Sequence, residues 1–203
     1  MVHLSIEGMD GIGKSTTCKL LAKRLGFFFV EKPLHLLFDK TEESFEEYIR
    51  IRDQVNRNPN RDFTALFYGL GSLYLYEMYK DQNIITDRHL ASNYAWSGTE
   101  TNEDVYELLL KKLGRPRLTV ILTGNEQTVI ERLKSRDPND SDIQKAVKTK
   151  AVSERMIFFC EKFALPYVVI DTSDLTPDEV VDKILNICLL YTSPSARDTE
   201  RSR

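Results

Sequence analysis

Apolar positions along this chain come in short bursts separated by longer amphipathic stretches. Val2–Ile6 is a short apolar run that ends at Glu7-Gly8. From Lys14 to Leu25 the spacing changes, and Cys18, Leu21, Ala22 and Leu25 fall on one helix face. Phe27-Phe28-Phe29-Val30 is continuously apolar, which predicts a second, buried strand. Thr41–Asn56 predicts a charged amphipathic helix, broken by Pro59. Asp62 is placed to cap the next helix, Phe63–Lys80, whose apolar residues lie on most sides and put it in the core or at an interface. Asn83–Thr86 predicts a third strand that closes on Asp87-Arg88. A helix over Glu103–Leu113 is stopped by Gly114 and Pro116. A fourth strand, Leu118–Leu122, a helix, Glu126–Ser135, and a polar loop, Asp137–Asp142, come next. The pattern ends with a long helix, Ile143–Phe163, a fifth strand, Pro166–Ile170, and a helix, Pro177–Ile187, whose proline suits a first turn.

Strands alternating with helices predict an α/β fold: a doubly wound, five-stranded parallel sheet flanked by helices. One domain over residues 1–187 accounts for the pattern, with no internal repeat. Residues 188–203 show no helical or strand period and read as a disordered or non-native tail. Ligands of such sheets bind beyond the carboxyl ends of the strands. Three polar stretches fall there: Gly8–Ser15 after strand one, Glu31-Lys32-Pro33 after strand two, and Asp87-Arg88 after strand three.

The first of these, GMDGIGKS, fits the phosphate-binding pattern G-x-x-x-x-G-K-[ST], and it lies between a strand and a helix, the setting the pattern needs. Gly8, Gly11 and Gly13 let backbone N–H groups turn inward around Ile12 toward phosphate oxygens. The helix beginning at Lys14-Ser15-Thr16 aims its N-terminus at the same charge. Lys14 is expected to reach the β- and γ-phosphates of ATP, and the Ser15 hydroxyl to hold Mg²⁺. Asp10 is the anomaly, a carboxylate inside a loop built for anions. Asp87 is a second candidate metal contact, through water, and Arg88 suits a bound phosphate. Arg132 and Arg136, four apart on one helix face, lead into Asp137-Pro138-Asn139-Asp140, a segment able to close over ATP as a lid.

Composition narrows the classes. The net charge of -3 argues against binding a nucleic-acid polymer. No apolar run approaches the ~18 residues of a membrane span. Three distant cysteines, Cys18, Cys160 and Cys188, form no C-x-x-C pair and suggest neither a zinc site nor a disulfide framework. The chain reads as cytoplasmic.

IEGMDGIGKST (Ile6–Thr16), TDRHLASNYAWSG (Thr86–Gly98) and RLKSRDPNDSD (Arg132–Asp142) resemble the thymidylate kinases, within the wider group of thymidylate and deoxynucleoside kinases. The resemblance implies that Asp10 bonds the acceptor sugar's 3′-hydroxyl and that Arg88 binds the acceptor phosphate. It places Asn93 beside the base and sugar, Trp96 against the deoxyribose, and Phe67 stacked on the base. It also implies a homodimer, for which the helix Phe63–Lys80 is a candidate interface. The chain departs from the family pattern at Gly71, where an arginine usually reads the thymine carbonyl. It departs again at Lys32-Pro33-Leu34, which lacks a glycine pair, and at His89, where a tyrosine is common.

Three readings follow. A monophosphate kinase would convert ATP and dTMP to ADP and dTDP, with Lys14, Arg88, Arg132 and Arg136 stabilising the transferred charge. A deoxynucleoside kinase would need a base near a 5′-hydroxyl, and Glu31 is positioned for it. A switch or degenerate binding module would more naturally carry a guanine motif such as N-K-x-D or have lost Lys14 or Arg88.

Overall fold

The computed structural model describes residues 1–37 and 41–192. Its strands are β1 (His3–Glu7), β2 (Phe28–Glu31), β3 (Ile84–Asp87), β4 (Leu118–Thr123) and β5 (Tyr167–Asp171). They form one parallel sheet in the order β2-β3-β1-β4-β5. The doubly wound α/β expectation is met.

One face of the sheet packs on α1 (Lys14–Leu25), α6 (Glu126–Arg136) and α8 (Pro177–Thr192), burying Leu4, Ile6, Val120 and Leu122 against Cys18, Leu21, Val129, Leu133, Val181 and Ile184. The other face packs on α3 (Arg61–Met78), α4 (Leu90–Ser97), α5 (Glu103–Leu113) and α7 (Thr149–Lys162). Its core is Met9, Leu90, Tyr94, Tyr106, Ile121, Met156 and Phe159. Burying apolar surface on both sides of a parallel sheet is the dominant stabilising term for such an architecture. The helix α2 (Glu42–Asn56) stands outside this frame, capped by Thr41, whose side chain accepts from the Ser44 N–H at 3.2 Å.

Several boundaries depart from the sequence pattern. The strand β2 is an edge strand, so Phe28 is exposed rather than buried. Asn60, not Asp62, caps α3, and its side chain accepts from the Phe63 N–H at 3.0 Å. The single helix expected over Ile143–Phe163 is divided into a 3₁₀ helix, Ser141–Lys148, and α7. Asp140 caps the first piece through the Asp142 N–H at 2.9 Å, and Thr149 Oγ1 donates to the Ala146 carbonyl at 2.7 Å where the second begins. A further 3₁₀ turn, Pro33–Leu37, follows β2. The last helix continues past Ile187 to Thr192; the rest of the expected tail, 193–203, lies outside the described residues. Among the described residues no helix is long and apolar enough to cross a membrane.

Candidate active site

The sheet register brings the chemistry together. Asp87 at the end of β3 is aligned with Glu31 at the end of β2 and with Ile6 near the end of β1. An open cleft of about 650 Å³ lies over these ends, lined by residues 10–17, Glu31, Lys32, Asp87, Arg88, Arg132 and Arg136, among others. Two loop glycines are demanded by close approach. At Gly8, with φ 140°, a Cβ would lie 2.6 Å from the Leu122 carbonyl oxygen, and at Gly11, with φ 80°, it would lie 2.7 Å from Leu133 Cγ.

Lys14 is buried, and its Nζ donates to the Met9 carbonyl at 2.7 Å. Asp10 lies 3.8 Å from the same nitrogen and Asp87 4.0 Å. Burial, then the nearby Arg88 charge, lowers the Lys14 pKa to about 8, despite the opposing pull of Asp87 and Asp10. Arg88 has a left-handed backbone, φ 74°, costly for a residue with a Cβ. That turn directs its guanidinium back to the loop, where Nη2 donates to Asp10 Oδ1 at 2.7 Å. Burial would raise the Asp10 pKa, but Arg88 and Lys14 outweigh it and hold the carboxyl at about 2. Asp10 is therefore ionised and forms a charged bridge between the glycine-rich loop and the end of β3.

Ser15 Oγ donates to Asp87 Oδ2 at 2.5 Å, so two oxygen donors sit side by side at the loop's helix end. A hard divalent cation takes such oxygens, and Mg²⁺ in particular completes its shell with phosphates and water rather than with a protein cage. The pair fits Mg²⁺ on that chemistry. Among the described residues no cluster of three or more acidic, His or Cys ligands competes for a metal.

The two basic residues of α6 occupy different positions. Arg132 reaches β5's exit, donating to Thr172 Oγ1 at 3.0 Å and to the Thr172 carbonyl at 2.7 Å. Arg136 is exposed at the cleft wall and paired with Asp140. Three residues implied by the resemblance do not line this cleft. Asn93 is buried, with its amide shared between the Ala65 carbonyl at 2.9 Å and the Tyr106 hydroxyl at 3.2 Å. Trp96 lies half exposed at the end of α4, and Phe67 stacks edge-on with Tyr68 at 5.3 Å. Gly71 is buried under the 3₁₀ turn. A Cβ there would lie 2.9 Å from Leu34 Cγ and 3.4 Å from Pro33 Cγ, so the space of the expected arginine is filled from β2's side.

Two supporting residues have no motif of their own. Glu7, fully buried, accepts from the Ser92 N–H at 3.1 Å and the Ser92 hydroxyl at 2.5 Å, supplying the cap that His89 does not. Arg155 donates to the Ala95 carbonyl at 2.8 Å and the Gly98 carbonyl at 2.6 Å, closing the other end. The helix after Arg88 is thus held by a negative charge at its N-terminus and a positive one at its C-terminus, matching its dipole. A carboxylate at a strand end was the only sequence signal for Glu7.

The thymidylate kinase family model matches residues 6–184. The chain belongs to the thymidylate kinase family. It is accordingly a phosphotransferase. It is 25% identical over 188 residues to a probable thymidylate kinase of Methanocaldococcus jannaschii, covering 91% of this chain and 94% of that one. It is 26% identical over 185 residues to a putative adenylate kinase of Thermococcus kodakarensis, covering 91% and 84%. Its fold is similar to that of deoxyadenosine kinase from M. mycoides, solved with dCMP and a flexible dCDP, at a TM-score of 0.62, 19% identity, and coverage of 92% and 98%. Relatives of this family thus carry names that differ in the base of the acceptor.

Proposed function

We propose that this protein transfers the γ-phosphoryl group of ATP to a deoxynucleoside monophosphate, with dTMP as the leading acceptor. The observation that carries the reading is the Asp10–Arg88 ion pair on the wall of the phosphate-loop cleft. A loop that only binds or hydrolyses a donor has no use for a charged pair beside Lys14. An acceptor nucleotide has a use for both members: its phosphate for Arg88, its sugar hydroxyl for Asp10.

Lys14 and the loop N–H groups hold the donor phosphates, and Ser15 with Asp87 would hold Mg²⁺. Held there, Mg²⁺ would supply neutralisation of the donor's phosphate charge. An acceptor phosphate is already ionised, so the protein's task is alignment and charge stabilisation, not proton abstraction. Arg132 and Arg136 add positive charge on the far side of the cleft. The exposed stripe on α3 formed by Phe63, Leu66, Leu70 and Leu73 supports pairing with a second copy of the chain.

A second reading, a deoxynucleoside kinase, is favoured by Glu31, which lines the cleft beside Lys32 and is aligned with Asp87. A carboxylate there is placed to take a proton from a nucleoside 5′-hydroxyl.

An ADP-release assay with dTMP, dUMP, dCMP, AMP and thymidine separates these readings. Turnover of monophosphates, dTMP foremost, with none of thymidine is expected. Turnover of thymidine without dTMP would establish the second reading and overturn the first. ATP hydrolysis indifferent to every acceptor would overturn both.

A further inference from the structure

Behind the Arg88 turn lies a polar cluster that takes no part in the cleft. His3 of β1 is buried, and both its ring nitrogens are bonded. Nδ1 is 2.6 Å from the Tyr76 hydroxyl on α3, and Nε2 is 2.9 Å from Thr86 Oγ1 on β3. A neutral imidazole serves two hydroxyls in this way, one nitrogen donating and the other accepting. The His89 ring stands edge-on to His3 at 4.7 Å and to Tyr76 at 5.7 Å. Burial, with His89 beside it, holds His3 well below the ordinary imidazole value. Burial takes His89 to about 3, so neither ring carries a charge at neutral pH.

Two imidazoles and a phenol occupy space that apolar side chains would fill without desolvating polar groups. His89 Nε2 is buried there with no hydrogen-bond partner. The place of the cluster in the chain supplies a reason for it. Thr86 lies two residues before Arg88 and His89 one after, so the cluster grips the backbone on both sides of the left-handed residue. The Arg88 N–H is tied separately to the Ile6 carbonyl at 2.9 Å. A strained conformation persists only where its surroundings fix it from several directions. Hydrogen bonds, with their set lengths and angles, do this more sharply than apolar contact.

We propose that His3 and Tyr76 are positioning residues for acceptor binding: acting through Thr86 and His89, they hold the turn that aims Arg88 at the acceptor's phosphate. This rests on the phosphoryl-transfer reading and adds to it the groups that set the Arg88 side chain. Neither His3 nor Tyr76 lines the cleft, so both act through the backbone of residues 86–89. Tyr76 also brings α3 into the network. The helix that carries Gly71 and the turn that carries Arg88 are thereby set relative to each other through one imidazole. The donor phosphates are held by the loop and by Lys14, which make no bond to this cluster. The cluster therefore governs the acceptor and leaves ATP binding alone.

The test uses the full chain and its Tyr76→Phe and Thr86→Val variants, each also combined with Arg88→Ala. Each single change removes one hydroxyl and keeps nearly the same volume. Steady-state kinetics give KM for ATP and for whichever monophosphate the enzyme turns over, and amide exchange reads the Arg88 N–H. Tyr76→Phe and Thr86→Val are each expected to raise acceptor KM about fivefold, the scale of one hydrogen bond, with ATP KM unchanged. Exchange at the Arg88 amide should quicken in both. On the Arg88→Ala background the same changes should leave acceptor KM unmoved, because the side chain they position is gone. Unchanged acceptor KM or unchanged Arg88 exchange in both single variants would overturn the proposal. So would equal rises for ATP and acceptor, or a fivefold effect that survives on the Arg88→Ala background. If no monophosphate is turned over, the acceptor reading fails and the role in binding with it. The exchange comparison would then still decide whether the cluster holds the turn.

Discussion

Arg88 Nη2 and Asp10 Oδ1 lie 2.7 Å apart, joining the end of β3 to the middle of the phosphate loop. The bond unites two residues separated by most of the first half of the chain. It depends on a left-handed turn at Arg88 that no glycine supplies. A strained residue at a cleft wall is retained when its side chain is needed in one direction.

Arg88→Ala is expected to reduce kcat/KM for the acceptor by roughly a hundredfold, since a charge-assisted contact to phosphate is lost. Arg88→Lys should recover only a small part, because an ammonium cannot bond a phosphate and Asp10 with the same planar fork. Steady-state kinetics with the acceptor varied provides the check. Wild-type values in Arg88→Ala would remove it from the site.

Burial, which lowers the Lys14 pKa to about 8, is expected to set an alkaline limit on activity. The kcat/KM for ATP should fall as pH rises through about 8, because the free enzyme then loses the Lys14 charge. Stability should respond in the opposite sense. Between pH 8 and the unfolded lysine value of 10.5 the unfolded chain binds a proton that the folded chain lacks, so this group's contribution improves with pH. Asp10 acts at the other extreme. Its carboxyl is held at about 2 against an ordinary 3.8, so the stability it contributes is complete above about pH 4 and is lost as pH falls through 2. A pH–rate profile and denaturation midpoints across these ranges test both signs.

Glu7→Gln keeps the shape of the α4 cap but removes its charge. A loss of about 1–3 kcal/mol is expected, from a buried charged hydrogen bond to Ser92. Because α4 starts two residues after Arg88, acceptor KM should rise as well. Denaturant midpoints and acceptor kinetics measured on one preparation would show whether the two effects travel together.

Gly71→Ala places a methyl group in space already held by Leu34 and Pro33. Overpacking should cost about 1–3 kcal/mol. Combining it with Leu34→Ala should recover part of that cost, because the two side chains compete for one volume. Additive losses in the double variant would mean that the contact is not the cause.

The strand–loop–helix arrangement of the candidate site was legible in the sequence because its motif is local: eight consecutive residues define loop, lysine and hydroxyl, and the flanking periodicities orient them. Asp87 and Arg88 were legible by topology, since ends of parallel strands meet. The helix α4 was not, because seven of its eight residues are buried and no polar stripe marks a period. The break at residue 148 was hidden too. Ile143 and Ala146 suit a helix of either pitch, and the change is set by side-chain bonds to the backbone. The last helix outran its expected end because no glycine or proline occurs before Pro194. Phe67, Asn93 and Trp96 came from resemblance, which carries residue identity but not the hydrogen-bond partners that hold Asn93 between Ala65 and Tyr106.

The seat of Leu34 on Gly71 separates two kinds of evolutionary freedom. Residues 8–16 and 87–88 are bound to one another by charge and by glycine geometry, so on the proposed reading a change there would damage transfer for every acceptor. The 3₁₀ turn Pro33–Leu37 meets α3 through apolar contact alone at Gly71, and a lineage could exchange one side chain for another there without disturbing the phosphates. On the proposed reading, acceptor preference drifts at this turn while the chemistry stays constant. An engineer seeking an enzyme that activates nucleotide prodrugs would randomise residues 33–37 together with position 71 and leave the loop untouched.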